Sequence, residues 1–483
     1  MLLIISDLHL TDGTISGETI DAKAFRILKN RIKDMAYDAS FRIKNDKPIY
    51  LPIDSIEIIL LGDILDVIRS DKWYSTDPKT DVKPWDDYQS ALLFDKVDQI
   101  SDGILENNKH SLEVFKELSD GVEIPAEMRF MEASDRWENV MKGNNSKIPV
   151  SIYYMVGNHD WVYHIPDTKD TKYRALREKI IKNLGLANKP EDVFPHLIED
   201  DRIPATNQTV QAIRSIFSQY KVQATHGDIF DKINCPPQSS DPNEDRRLGS
   251  SLGDAIVIEI LNRIPAEIDT VLKSNGVSED IRKLMNIDLR ELDNIRPYAF
   301  IPFWIKLFLE KHKEHLSTGV AGEIIAAMCK IFIDFTKNES LSKYLHRSHH
   351  RLAFLAGWLI RLGVSIDFIS SVLGWYKHDL EAQKDSYADS MIEYSLLFKN
   401  EVPRFFVAGH THYQELVPIR EGQTYFNTGT WRNIHDISRD DHSDSSFFTY
   451  KVMTYVAFFK EDINKGDERN GKAFEFWNGA LET

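Results

Sequence analysis

Five short runs of apolar, mostly β-branched residues along the chain each lead directly into a small cluster of polar residues. The runs are Leu2 to Ile5, Ile56 to Leu61, Ile152 to Val156, Lys221 to Thr225 and Phe405 to Ala408. Their length and composition predict buried strands, so the polar residues lie where each strand opens into a loop. In open α/β sheets, ligands bind at this carboxyl edge. The pattern therefore predicts an α/β protein with one polar site assembled from several strand ends.

Apolar residues at three- and four-residue spacing lie between the predicted strands and predict helices there. The spacing occurs over Ala24 to Asn45, Trp85 to Leu118 and Pro125 to Met141. The longest interval between strand ends, from Asp228 to His410, contains at least five more helical patterns. These are Leu252 to Arg263, Pro265 to Ser274, Pro302 to His315, Ala321 to Phe335 and Arg351 to Leu362.

The later helices predict an all-helical cap domain over residues 246–400, inserted into a discontinuous core formed by residues 1–245 and 401–483. Two roles for the cap stay open. As a lid it would exclude water and select the substrate, whereas as a packing or oligomerisation module it would not contact the substrate. After the cap, short alternating apolar runs predict hairpins that complete a second sheet. They are Tyr413 to Ile419, Thr424 to Asn427, Ser446 to Lys460 and Ala473 to Trp477.

The polar clusters at the five strand ends supply carboxylates, one amide and several imidazoles, but no thiolate. They read Ser6-Asp7-Leu8-His9, Gly62-Asp63, Gly157-Asn158-His159-Asp160, His226-Gly227-Asp228 and Gly409-His410-Thr411-His412. As a structural alternative, each cluster alone could be a turn with Asp, Asn and Gly at its usual positions. As a set, these ligand types suit Mn, Fe or Zn, and a carboxylate can bridge two ions. Two metals about 3.5–4 Å apart can hold a hydroxide and stabilise an in-line phosphoryl displacement.

All five clusters occur in the motif order of the calcineurin-like metallophosphoesterases, and the chain resembles that family. The resemblance implies a four-layer αββα sandwich carrying the inserted cap. It also implies one metal held by Asp7, His9, Asp63 and His412, and a second held by Asp63, Asn158, His226 and His410. Asp63 would then bridge the two ions. In the family the histidine of Gly-Asn-His faces the phosphate and serves the leaving group, which implies this role for His159, with Asp160 orienting it.

Two longer segments narrow the resemblance to one branch of the family. Asn427-Thr428-Gly429-Thr430-Trp431 and His226-Gly227-Asp228-Ile229-Phe230-Asp231 look like segments of the UDP-2,3-diacylglucosamine pyrophosphatases. His159 stands where many of those enzymes carry arginine. The resemblance covers the core motifs and does not extend to residues 246–400.

Several residues beside the clusters have both a functional and a structural interpretation. Asp66 and Asp231 are expected to orient metal-binding imidazoles, although helix or turn caps would look the same. Trp161 and Trp431 are expected to be core or rim aromatics rather than surfaces that stack on a base or sugar. Arg432 is a candidate for gripping a phosphate oxygen, with a solvated loop arginine as the alternative.

A histidine-rich segment lies in the cap, outside the five clusters. It reads His346-Arg347-Ser348-His349-His350-Arg351. Adjacent helical histidines point in different directions and no carboxylate accompanies them. We therefore expect a surface or substrate-facing basic strip rather than another metal site.

Composition restricts the partners and the compartment. The formal net charge of −16 argues against binding of long nucleic acids, whose backbones are normally bound by Lys and Arg. Cys235 and Cys329 are too few for a disulfide framework and favour a reducing compartment. Met1 leads directly into the first strand, which leaves no room for a signal peptide. The longest apolar stretch, Leu352 to Ile360, is too short to span a bilayer. We therefore expect a cytoplasmic protein without a transmembrane segment.

These observations predict a dinuclear metal-dependent hydrolase of a phosphate mono- or diester. A metal-bridging hydroxide would attack a nucleotide-like or sugar-linked small molecule, with Mn as the expected metal and Fe or Zn as alternatives. Two other functions stay open. One is a nuclease acting on DNA or RNA ends, and the other is a non-catalytic assembly protein that keeps the metal site. His159 favours an enzyme, because a structural metal site needs no leaving-group acid. The physiological substrate and the oligomeric state do not follow from the sequence.

Overall fold

The computed structural model describes most of the chain outside the second half of the predicted cap. The described residues are 1–15, 20–44, 47–74, 77, 80–131, 134, 136–140, 143–169, 171–198, 206–231, 233–236, 245, 247–295, 301–341, 388, 390–391, 403–420, 422–437, 447–460 and 472–480. The predicted helix over Arg351 to Leu362 and the histidine-rich segment His346 to Arg351 lie outside them.

The described chain mixes helices and strands, so its class is α/β as predicted. The strands are β1 (Leu2–Ile5), β2 (Phe41–Lys44), β3 (Lys47–Tyr50), β4 (Ile56–Leu61), β5 (Val122–Pro125), β6 (Met128–Met131), β7 (Arg136–Asn139), β8 (Asn145–Ile148), β9 (Val150–Met155), β10 (Val222–Ala224), β11 (Phe405–Ala408), β12 (Gln414–Arg420), β13 (Gln423–Thr428), β14 (Asn433–Ile437), β15 (Phe447–Phe458) and β16 (Phe474–Ala480). The α-helices are α1 (Ala22–Asp38), α2 (Ala91–Asn107), α3 (Lys109–Ser119), α4 (Tyr173–Leu184), α5 (Gln208–Tyr220), α6 (Leu252–Ile256), α7 (Arg263–Ser274), α8 (Glu279–Arg290), α9 (Ile301–Lys311) and α10 (Val320–Lys337). A π-helical turn, Val257–Leu261, separates α6 from α7.

Two larger sheets carry the predicted strands. In the described residues, the first has the order β14-β15-β1-β4-β9, with β16 paired to β15. Strands β1, β4 and β9 are parallel. The second sheet has the order β10-β11-β13-β12, and its first three strands are parallel. The carboxyl ends of the parallel strands carry all five polar clusters, which is why residues far apart in sequence meet there.

The two sheets share a hydrophobic core. Leu2 and Ile4 of β1 pack in one cluster with Val407 of β11 and Phe426 of β13. Residues of opposite parity, Leu3 and Ile5, belong to a second cluster that contains the buried side chains of α1 to α4. Because alternate residues of a strand face opposite sides, β1 is buried on both faces. This burial explains its continuous apolar sequence.

The described helices of residues 247–341 belong to the same hydrophobic cluster as the first sheet. Buried residues of α6, α7, α8, α9 and α10 are members of the cluster that also contains Leu3 and Phe25. Polar contacts add to this packing, since Trp161 Nε1 donates to Asp254 at 3.1 Å and Arg432 pairs with Asp293 at 2.7 Å. This part of the predicted insertion is therefore packed against the core.

The structure corrects three predicted elements. Residues 125–141 contain strands β6 and β7 rather than a helix, and Met128–Met131 alternates in exposure as an edge hairpin does. The helix expected over Ala24 to Asn45 ends at Asp38, and the chain turns into the β2–β3 hairpin. The hairpins β12–β13 and β15–β16 are confirmed, but the second pair joins the first sheet through β1 instead of completing the second sheet.

None of the described helices has both the length and the apolar character needed to cross a membrane.

Candidate metal centre

Most of the predicted ligands have a backbone conformation that side chains rarely adopt. Within the described residues, six non-glycine residues have positive φ, and five of them are predicted ligands. These five are Asp7, His9, Asp63, His410 and His412, with φ between 44° and 72°. The sixth, Lys221, ends helix α5. Left-handed backbone at non-glycine residues costs free energy and concentrates at functional sites.

Glycines allow the strand-end loops to approach one another closely. A methyl group on Gly157 would collide with Oδ1 of Asp63, and one on Gly409 would collide with Oδ2 of Asp7. Both glycines precede a predicted ligand, Asn158 or His410. Side-chain-free backbone is therefore needed at these positions so that carboxylates of one loop can lie against the next loop.

The first group of converging side chains consists of Asp7, His9 and His412. Their ligand atoms all lie within 4.8 Å of one another. His9 Nε2 lies 2.9 Å from His412 Nε2, and these nitrogens are 3.8 Å and 3.6 Å from Asp7 Oδ1. His9 Nδ1 contacts Asp66 Oδ2 at 2.8 Å, which leaves its Nε2 lone pair aimed at the group.

The second group consists of Asp63, His226 and His410, and Asn158 lies between its two imidazoles. His226 Nε2 is 3.2 Å from Asp63 Oδ2 and 3.2 Å from Asn158 Oδ1. His410 Nδ1 is 2.9 Å from the same amide oxygen. The other nitrogens of both rings face acceptors, since His226 Nδ1 is 3.0 Å from the Leu61 carbonyl and His410 Nε2 is 3.3 Å from Asp231.

The two groups meet at Asp63. Its Oδ2 is also 3.7 Å from His9 Nε2 of the first group. Two ligands that each lie about 2.0–2.2 Å from one metal are about 3–4 Å apart, which matches these separations. The structure thus brings all seven predicted ligand residues into one continuous cluster, and the donor set fits two cations that share one carboxylate. The assignment of each residue to an ion stays a prediction.

Burial makes the negative charge of this cluster costly without a cation. The side chains of Asp7, Asp63 and Asp66 are at most 2 % exposed. Their ion-pair partners among the described residues are all histidines. Buried carboxylates need a positive partner, so the site favours either protonated imidazoles or divalent ions.

The pKa shifts show how the cluster balances its charge. Burial alone would raise the pKa of Asp63, but His226 beside it helps to hold that pKa well below its usual range. Burial opposes protonation of His226 and His9, yet the neighbouring carboxylates, chiefly Asp63 and Asp66 respectively, raise the pKa of both imidazoles. Metal ligands must be deprotonated, so a cation has to displace protons from these rings.

We therefore expect Mn²⁺ binding to tighten as the pH rises. The pKa values of His9 and His226 are raised by the neighbouring carboxylates, so these rings keep their protons to higher pH than a free imidazole and must be deprotonated when they bind metal. With two displaced protons the affinity would rise by up to about a hundredfold per pH unit. Calorimetry in buffers of different ionisation enthalpy measures the protons released. An affinity that is constant between acid and alkaline buffer would contradict this charge balance. In the metal-free protein, stability from these protonated rings is lost as the pH rises through their raised pKa values.

His159 lies at the rim of the cluster and is held by a different carboxylate from the one predicted. Its Nδ1 is 2.9 Å from Asp66 Oδ1, and its side chain is 11 % exposed. Asp160 does not contact this ring. The Asp160 carboxylate instead accepts from the backbone nitrogens of Gly157 and Ile64 and from the Tyr154 hydroxyl. The prediction that Asp160 orients His159 was wrong, because its carboxylate points at the backbone of its own loop, at Gly157, and of the Asp63 loop, at Ile64.

Asp66 thus contacts two imidazoles of different predicted role, His9 and His159. The position of Asp66, three residues after Asp63, indicates from sequence that it lies beside the site. It does not indicate that His159 is its partner. Burial works against the charge of Asp66, but His159 and His9 lower the pKa of this carboxyl. Burial also disfavours the protonated His159 ring, yet Asp66 and Asp63 raise the pKa of His159 to about 10.

The remaining candidates near the site are structural in the described chain. Trp161 and Trp431 are buried, which agrees with core aromatics. Their indole nitrogens donate to Asp254 and to the Thr454 carbonyl. Arg432 is also buried and forms an ion pair with Asp293. It is therefore neither a solvated loop residue nor an exposed arginine available to bind a phosphate oxygen.

Compared with known proteins, the chain matches no family model, and no curated protein or solved structure is significantly similar to it. Its function therefore has to be argued from the geometry of the centre.

Proposed function

We propose that this protein is a two-metal phosphoesterase of the calcineurin-like metallophosphoesterase type. Its substrate would be a phosphate mono- or diester of a nucleotide-like or sugar-linked small molecule. The observation that carries the proposal is the position of Asp63, which lies within ligand distance of His9 and His159 on one side and of His226 and His410 on the other.

The fold is compatible with this type of enzyme. Two sheets share one core, and helices α1 to α4 cover the far face of the first sheet. This arrangement supports three layers of the αββα sandwich that the sequence predicts. The fourth layer would lie on the outer face of the second sheet, where Met391 packs with Phe406 and Tyr425.

Seven side chains would hold the ions. Asp7, His9, Asp63 and His412 would hold the first, and Asp63, Asn158, His226 and His410 the second. Two such ions, when bound, would neutralise phosphoryl oxygens and lower the pKa of an attacking water. Asp66 and Asp231 would set the orientation of the ligand rings by accepting from the ring nitrogens that face away from the ions.

His159 would act on the leaving group. Its Nδ1–H donates to Asp66, so its Nε2 is the nitrogen available to carry a proton to the departing oxygen. The raised pKa keeps the ring protonated at neutral pH in the metal-free protein. Nearby cations would lower that pKa again, toward the working pH of a general acid. An acid with its own carboxylate partner favours catalysis over the non-catalytic assembly alternative.

Turnover by the purified chain with added Mn²⁺ tests the proposal. The substrates are a p-nitrophenyl monoester, the bis ester, cyclic nucleotides, UDP-sugars and oligonucleotides. We expect metal-dependent hydrolysis of at least one small ester, abolished by a chelator and restored by Mn²⁺. Turnover of the oligonucleotides alone would favour the nuclease alternative. A protein that binds metal and cleaves none of these would favour the assembly alternative.

Because Asp66 rather than Asp160 contacts the His159 ring, the two carboxylates should affect the pH–rate profile differently. Asp66→Asn removes the carboxylate that raises the pKa of His159, so the alkaline limb of the pH–rate profile should move to lower pH. The rate at the optimum should fall by about 10–100-fold, as for other lost partners of metal-site residues. Asp160→Asn keeps the Asp66 contact, so we expect this limb to stay in place even if the melting temperature falls. A shift in Asp160→Asn alone would restore the original assignment.

A further inference from the structure

Arg247 is a buried arginine near the start of the predicted insertion, and its side chain is 1 % exposed. Its NH2 nitrogen forms an ion pair with Asp228 Oδ2 at 2.6 Å. The geometry of this pair does not meet the angles of a hydrogen bond. Its NH1 nitrogen donates to the carbonyl oxygen of Gly157 at 3.5 Å. The guanidinium therefore lies between two loops of the core.

Each of these loops carries a predicted ligand of the second metal. Gly157 directly precedes Asn158, and Asp228 follows His226 by two residues. Asp228 is buried and its other oxygen lies 3.1 Å from His196 Nε2. Arg247 thus links the Asn158 loop to the His226 loop through the chain itself, without a metal.

The first-metal group is held by other contacts. Thr430 Oγ1 donates to the backbone carbonyl of Asp7 at 2.6 Å, and Asp66 holds His9. The side-chain hydrogen bond and the ion pair that the structure shows for Arg247 go to Gly157 and Asp228, on the second-metal side. A change at Arg247 should therefore act on one half of the centre.

We propose that Arg247 is a positioning residue that holds Asn158 and His226 at the spacing the second metal requires. The inference rests on the proposed two-metal function. It gives the first residues of the insertion a role in the metal centre, which the core motifs do not include. Removing Arg247 would also leave Asp228 buried without its strongest partner, and a buried unpaired charge is costly.

Mn²⁺ titration of the purified chain, with elemental analysis of bound metal, tests the proposal. We expect two ions per chain for the wild type. In Arg247→Met the first ion should bind as before, while the affinity for the second falls by about 10–100-fold, the usual effect of losing an outer contact to a metal ligand. Arg247→Lys keeps a positive charge beside Asp228, but a single ammonium group cannot contact both Asp228 and the Gly157 carbonyl as the guanidinium does. The affinity of this variant for the second ion should therefore lie between those of the wild type and Arg247→Met.

Arg177→Met is the matched control. Arg177 is equally buried, but it donates to the carbonyl oxygens of Ile165 and Pro190, away from the predicted ligands. Its loss should lower the melting temperature and leave both ions bound. If Arg247→Met does not fold, the double variant Arg247→Met with Asp228→Asn removes both charges and should show the same one-site defect.

The outcomes separate the two proposals. A wild type that binds fewer than two ions overturns the two-metal function and this inference with it. A wild type with two ions and a folded Arg247 variant that binds both with unchanged affinity overturns the inference alone. Equal weakening of both ions in the folded variants would also overturn it, because the contacts of Arg247 predict a defect in one half.

Discussion

Replacing Asp63 with asparagine is expected to release both metals and to abolish turnover. Its Oδ2 lies 3.2 Å from His226 Nε2 and 3.7 Å from His9 Nε2, so this one carboxylate faces both ligand groups. An amide is neutral and cannot offer two anionic oxygens to two cations. The loss should exceed the roughly 10–100-fold typical of an outer partner of a metal ligand, because a bridging ligand is removed.

The effect is measured as the metal content of Asp63→Asn and its rate of hydrolysis of bis(p-nitrophenyl) phosphate. Circular dichroism checks that the variant is folded. Asp167→Asn is a matched control, because that carboxylate accepts from the backbone nitrogen of Tyr173 at 3.0 Å and lies outside the cluster. The control should bind two ions and turn over normally. If Asp63→Asn kept two ions per chain, Asp63 would not be the bridging ligand.

Replacing His159 with alanine is expected to keep both ions and still slow hydrolysis of an alkyl phosphodiester by about 10²–10⁴-fold, the usual contribution of a general acid. His159 Nδ1 is held by Asp66, and the side chain is the more exposed member of the His9–His159 pair. A ligand nitrogen of His159 also lies within 4.8 Å of ligand atoms of His9 and Asp63, so retention of both ions in this variant is what distinguishes a general acid from a metal ligand. Loss of metal in this variant would show that His159 is a ligand.

The leaving group provides a sharper version of the same test. p-Nitrophenolate departs without protonation, whereas an alkoxide needs a proton. The defect of His159→Ala should therefore be small for a p-nitrophenyl ester and large for an alkyl phosphodiester. His164→Gln is the control, since this nearby buried histidine contacts the Phe194 carbonyl and Asp245 and none of the predicted ligands. Equal defects on both substrates would place His159 in substrate binding or metal support instead.

The described part of the insertion changes how its role should be tested. The described helices between residues 247 and 341 contribute buried side chains to the core cluster, and Asp254 and Asp293 form contacts with Trp161 and Arg432. Replacing all of residues 246–400 with a linker would break these contacts as well as any lid. Point changes at His349, His350 or Arg351 remain the gentler test of substrate selection, although these residues lie outside the described part of the chain.

Sequence pattern predicted the strand ends because the signals are local. Apolar runs of β1, β4 and β11 match the observed strands residue for residue, and the glycines before Asn158 and His410 mark places where only bare backbone fits. The segment 125–141 was mistaken for a helix, because a short run of mixed apolar residues satisfies both periodicities. The structure pairs β6 with β7 as antiparallel strands, from Met128 opposite Asn139 to Met131 opposite Arg136.

The sequence by itself determined the chemistry of the site: which carboxylates, amide and imidazoles stand at the strand ends, and in what order. Only the tertiary structure decided which residues hydrogen-bond to each other in the site. Asp160 is adjacent to His159 in the chain, yet Asp66, 93 positions away, accepts from its ring. Arg247 reaches Gly157 across 90 positions. A strand pattern depends on neighbours along the chain, but a hydrogen-bond partner depends on distance and direction in space, which the packing of the two sheets sets.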